Sequence, residues 1–87
     1  MAAPTRTATP DEAQWVLDQL PERLVADEVT VTALSRDDGA AWFWVYPAEV
    51  EIGEIYTTWV VERTTAGVGT VSSFKSRRSA SGDVTVP

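Results

Sequence analysis

The chain has no cysteine and no histidine among its 87 residues. Without cysteine there is neither a disulfide framework nor a thiolate metal site to staple a small fold. Without histidine, the commonest general base and a preferred transition-metal ligand are missing. Lysine is scarce as well: Lys75 is the single lysine among 7 basic residues, which face 13 acidic ones. The resulting net charge of −6 argues against nucleic-acid binding by broad phosphate neutralisation. No apolar run approaches about 18 residues, and "MAAPTRTATP" is not a charged-then-apolar leader. These absences predict a soluble, non-exported protein with no membrane contact, no metal and no cofactor, cytoplasmic or part of a virus particle. The scarcity of lysine beside plentiful Ala, Val, Thr and Asp is a bias shared with GC-rich and salt-adapted genomes and the viruses that use them.

What is present must fold without staples. A domain of this length buries only a little more than about 60% of the surface its unfolded chain exposes. Residues 1–8 have weak hydrophobic periodicity and a proline, the pattern of an extended arm ahead of one domain over 9–87. Thr9-Pro10-Asp11-Glu12 marks a helix start. The Thr9 hydroxyl can accept from the Glu12 backbone N–H, Glu12 can reach back to the Thr9 N–H, and Pro10 falls at the first helical position, where its missing donor costs nothing. Ala13, Val16, Leu17, Leu20 and Leu24 then share a face at helical spacing, and Pro21 ends or kinks the helix, predicted over about 10–20. Trp15 falls roughly opposite that stripe, between Asp11 and Asp18. It reads either as a ring lying on the surface or folded onto the arm near Pro4, or as an anchor for a partner.

From Glu28 the hydrophobic period changes to two, and strands are predicted over about 28–35, 41–46, 54–64, 68–76 and 83–86. "RDDGA", "TAGVG" and "SASGD" supply turn chemistry between them. "AEVEIGE" is ambiguous between a half-exposed edge strand and a single helical turn after Pro47. The predicted fold is α+β: an N-terminal helix on an antiparallel meander of four or five strands, as a two-layer sheet or a small open barrel.

Motifs that carry chemistry are weak throughout. Ser72-Ser73-Phe74-Lys75 matches S-x-x-K, which needs a helical turn to bring amine and hydroxyl together, whereas in a strand positions three apart face opposite ways. Gly67-Val68-Gly69-Thr70 lacks the lysine and spacing of a phosphate loop and reads as a hairpin turn. Glu49, Glu51 and Glu54, like Asp37 and Asp38, lack the alternating ligands and closing bidentate glutamate of a calcium loop, and read as solvated acidic surface. Carboxylate pairs for glycoside hydrolysis need a deep cleft that a two-layer domain of this size rarely provides. No catalytic residue is therefore assigned, and the protein is expected not to be an enzyme. Lys75, Arg77 and Arg78 form the one basic cluster, which reads as a solvated strand end or as a contact for an acidic partner or for phosphate.

The most informative segment is "AWFWVY", residues 41–46. As a strand it sends Trp42, Trp44 and Tyr46 to one face and Phe43 and Val45 to the other, and both faces are apolar. "EIYTTWVVERT" repeats the problem with Ile55, Thr57, Trp59 and Val61 against Tyr56, Thr58 and Val60. One helix covers part of one face only. If Phe43 and Val45 meet the helix, Trp42, Trp44 and Tyr46, with Tyr56 or Trp59, form an open aromatic patch, and soluble monomers seldom leave such a patch uncovered. The cover is a curled sheet, a second subunit or a stacked ligand. The leading expectation is a non-enzymatic interaction or structural subunit that self-associates or joins a larger assembly, such as a virion, with protein as partner. Trp42, Trp44, Tyr46, Tyr56, Trp59 and Trp15 are its interface candidates. An inhibitor or regulator of a cellular or host protein is the second expectation. A nucleic-acid or glycan module that stacks ligand on Trp42, Trp44 and Tyr46 is the third.

Overall fold

The structure, a computed structural model, describes residues 5–36 and 38–79 and the backbone of 84 and 85. The first four residues of the expected arm, the turn residue Asp37, and residues 80–83, 86 and 87 of the expected last turn and strand lie outside the described residues.

Helix α1 spans Pro10–Gln19 and begins as its capping box dictates. Glu12 N–H donates to the Thr9 hydroxyl at 3.2 Å, and Thr9 N–H donates to the Glu12 carboxylate at 2.9 Å. It ends at Leu20, whose backbone is extended before Pro21, so no further α-helical turn runs through Leu24. A 3-10 turn at Ala26–Glu28 then leads into the sheet.

The sheet has the strand order β1-β2-β3-β4-β5-β6, every neighbour antiparallel and every pair consecutive in sequence. Its body is β2 (Val29–Ser35), β3 (Ala41–Pro47), β4 (Ile55–Arg63) and β5 (Gly69–Arg78), with two-residue strands β1 (Arg6–Thr7) and β6 (Val84–Thr85) on the flanks. The fold is thus α+β, one helix on an antiparallel meander. It carries one more strand than the sequence predicts, because the arm is partly drawn into the sheet: Arg6 and Thr7 pair with Ala33 and Thr32. The β2–β3 and β4–β5 hairpins close with the same geometry. In each, the first loop residue (Arg36 or Thr64) accepts from a glycine N–H three residues on and donates to the carbonyl four residues on. The glycines, Gly39 and Gly67, sit at φ 88° and 84°, where a side chain would be strained. "AEVEIGE" is neither strand nor helix. Glu54 N–H donates to the Glu51 carbonyl across a turn with Gly53 at φ 88°, and Gly53 and Glu54 bond the backbone of Arg78.

Register fixes which side chains share a face. Val31, Ala33, Ala41, Phe43, Val45 and Val61 face α1 and form the buried core with Val16 and Leu20, and Phe43 is its largest fully buried side chain. Trp15 does not lie on the outer surface of the helix. Its ring packs against the core, 6.0 Å from Phe43 at a tilt of 52°. The Arg63 guanidinium lies 5.7 Å from the Trp15 ring and 5.4 Å from the Phe43 ring, a cation–π pairing that closes this side of the core. Gly69 makes room for it. A Cβ there would stand 3.1 Å from the Trp15 ring and 3.0 Å from the Gln19 side chain, so the flank of α1 that carries Trp15 and Gln19 rests on β5 where β5 has no side chain.

The N-terminus is held by charge. Arg6 donates to both Glu12 oxygens, at 2.6 and 2.8 Å, and to the Ser35 hydroxyl at 2.8 Å, joining β1, α1 and β2. The Arg6 hydrogen bond, aided by the Thr9 N–H, lowers the Glu12 pKa from 4.5 to about 2. A carboxyl depressed on folding stabilises above its unfolded value and loses that contribution as pH falls through its folded value. Glu12→Gln keeps an oxygen that can accept from the Thr9 N–H but loses the ion pair with Arg6, and is therefore expected to lose up to about 1 kcal/mol at neutral pH, the scale of a partly exposed ion pair. It should also flatten the stability–pH curve between 4.5 and about 2, the window of the Glu12 shift. Urea titrations across that range check this, and parallel curves for variant and wild type would refute it.

Candidate functional site

Nothing on the helix side accounts for the second face of the meander. There the register aligns Thr32 with Trp44 and Trp44 with Val60, then Thr58 with Phe74 and Tyr56 with Ser76. Trp42, Trp44, Tyr46 and Tyr56 are half-buried, and Phe74 is 36% exposed. A groove of about 450 Å³ runs across this face, lined by Thr5, Thr32, Trp44, Tyr46, Tyr56, Thr58, Phe74 and Arg78. Flat strands about 4.8 Å apart would hold Thr5, which precedes β1, and Arg78 of β5 some four spacings apart. The groove reaches both, and α1 lines none of it.

The structure thus brings Trp42, Trp44, Tyr46 and Tyr56 together and separates the other two interface candidates from them. Trp59, opposite Val45 and Ser73, faces the helix side and packs against the core, as does Trp15. Phe74, Val60 and Thr58 complete the open face with Arg78 of the basic cluster, and sequence patterning does not mark the first three as site residues. Their signal was the β4–β5 register. Once residues 64–68 are a hairpin, position 74 must lie opposite position 58, on the face of Tyr56.

The basic cluster is divided in the same way. Lys75 and Arg77 point to the helix side, where the Lys75 amine donates to the Thr57 hydroxyl and Arg77 donates to the Gly53 carbonyl at 2.8 Å. Arg78 alone lines the aromatic groove. Ser72 and Lys75 are on opposite faces, so the S-x-x-K spacing brings no amine to a hydroxyl. Glu49, Glu51 and Glu54 line a shallow polar depression with Val50, and among the described residues no three Asp or Glu side chains are placed to hold a metal.

A second groove, of about 410 Å³, lies on the helix side beyond the end of α1. Val45, Pro47, Ile55 and Trp59 form its floor, with Arg23, Leu24 and Val25 at its margin. Its cause is length: the 10 residues of α1 make about 15 Å of helix, whereas the 10 residues of β5 extend about 33 Å.

The open face offers rings, threonine hydroxyls and one cation. Such a surface accepts apolar side chains and orients them by a few polar contacts. No family model matches the chain, and no curated protein or solved structure matches it significantly.

At the margin of this face the Ser76 hydroxyl is fully buried opposite Tyr56 without a hydrogen-bond partner. An unsatisfied buried polar group costs about 1–3 kcal/mol, so Ser76→Ala is expected to leave stability unchanged or raise it by about 1 kcal/mol in urea unfolding. A loss of more than about 1 kcal/mol, the worth of a typical hydrogen bond, would show that the hydroxyl is paired.

Proposed function

We propose that this protein is a non-enzymatic interaction subunit that buries its open aromatic face against protein, in a copy of itself or in a larger assembly. The observation that carries the reading is the groove lined by Trp44, Tyr46, Tyr56 and Phe74, on the face that α1 does not cover. Aromatic side chains supply large contact areas at little entropic cost and concentrate at interface hot spots. Arg78, at the groove edge, is a second residue of the type enriched there. The lack of histidine and cysteine supports binding over catalysis, since the commonest general base and the thiol nucleophile are both missing.

The reading is tested with tryptophan emission. The chain has 4 tryptophans, and in a Trp15→Phe, Trp59→Phe background only Trp42 and Trp44 report. Burial of the face by self-association predicts that acrylamide quenching falls as protein concentration rises. If the partner is a larger assembly, quenching falls when that assembly is present. Trp44→Ala should weaken the association at least about tenfold, or ~1.4 kcal/mol, without unfolding the chain. Quenching that stays constant at every concentration and in the native assembly would sink the proposal.

A further inference from the structure

The open face carries charge at two places. Among the described strand positions that share this face, Glu62 and Arg78 alone are charged, and Glu62 is the one carboxylate in β1–β5. Both side chains are half-buried, and neither has a hydrogen bond or ion pair among the described residues. Glu54, whose carbonyl accepts from the Arg78 N–H, turns its carboxylate to the Glu51 N–H at 3.1 Å. Two opposite charges thus stand unpaired on an apolar face.

Their placement is symmetric. Thr58 pairs with Phe74, Glu62 lies four residues beyond Thr58, and Arg78 lies four residues beyond Phe74 in the opposite direction, because β5 runs antiparallel to β4. Each charge therefore stands about 14 Å from the row of Thr58 and Phe74. The aromatic groove straddles the same row, with Trp44 on the Glu62 side and Tyr56 on the Arg78 side.

We infer that this face packs on the same face of a second copy of the chain, about a two-fold axis that lies in the interface, across the strands, over Thr58 and Phe74. That operation exchanges the two ends of the face. Glu62 of each copy comes to Arg78 of the other, and Trp44 of each comes to the row of the other's Tyr56. Phe74 meets its own copy, and ring pairs are favourable when offset or edge to face. An axis along the strands would leave Glu62 level with Glu62 and Arg78 level with Arg78, so charge selects the axis across them. A partner of unrelated sequence would have to supply a base and an acid at this spacing, whereas a second copy supplies both by symmetry. Sheets stacked about 10 Å apart cross at up to about 30°, enough to take up the one-strand offset between β4 and β5. The face measures about 20 Å by about 27 Å, on the order of 1,000 Å² over both copies, the lower bound for a specific interface. Such a dimer forms and dissociates with concentration. The inference rests on the reading that this face is buried against protein, and commits that protein to a copy of the chain.

Charge reversal provides the test. By light scattering after size exclusion, the mass of the wild type should rise with concentration from 9.5 kDa toward twice that value. In the Trp15→Phe, Trp59→Phe background, acrylamide quenching should fall in step. Glu62→Arg and Arg78→Glu should each weaken the dimer at least about tenfold, since each sets like charges together in both symmetric pairs. Mixed one to one, the two variants should associate as tightly as the wild type, because each supplies the charge that the other lacks. The double variant should do the same. Glu62→Gln and Arg78→Gln keep the comparison if a reversal upsets the fold, and each should weaken the dimer about threefold. A dimer that forms equally well in every variant overturns the inference, and the aromatic face is still buried if quenching falls. A particle that stays at 9.5 kDa at every concentration also overturns it. The wider reading then stands only if the native assembly shields Trp42 and Trp44.

Discussion

A strand has two faces, and in this protein both faces of β3 are apolar while the chain supplies a single α-helix among the described residues. The rest of the structure follows from how that shortage of cover is distributed. Phe43 and Val45 take the helix, together with Val61 and the small residues Ala33 and Ala41, which allow α1 to approach closely. Trp42, Trp44 and Tyr46 are left on the face without a helix, where Trp44 and Tyr46 line a groove with Tyr56 and Phe74. The helix is also too short for its own face, so Leu24 and Val25 extend the cover without closing it. The core is small and dense at one end of the helix side, and grooves remain wherever helix is lacking.

Because α1 is short, its orientation has to be fixed by contacts at its sides. On one flank Arg6 clamps Glu12 and Ser35. On the other, Trp15 and Gln19 settle on Gly69, and Arg63 lies near the rings of Trp15 and Phe43. These contacts use one ion pair, one aromatic pair and one missing side chain. None belongs to the apolar stripe of Val16 and Leu20, although together they decide where that stripe lands.

Most of the fold was legible in the sequence because its signals are local. Thr9 and Glu12 cap the helix by contacts within one turn, Pro21 stops it, and the strands alternate with a period of two between glycine turns. The choice of face for Phe43 over Trp44 was legible only as one of two options, since a period of two gives faces and not which of them meets the helix. Trp15 was misplaced because periodicity counts the apolar stripe, whereas its burial depends on Gly69, more than fifty residues away in sequence. The same holds for Arg6, whose partners Glu12 and Ser35 meet only after β1 joins the sheet. The basic cluster misled for a simpler reason. Lys75, Arg77 and Arg78 are close in sequence, but the pleat assigns them to different faces, and only Arg78 reaches the aromatic groove.

The strictly consecutive pairing of the strands has a kinetic consequence. Each strand finds its partner across a short connection, so little loop entropy is lost at any step, and such low-contact-order sheets fold quickly for β structures. The exception is β1, which must wait for β2 although it lies ahead of it in the chain. Assembly can thus proceed hairpin by hairpin, with the arm locking one edge once β2 exists.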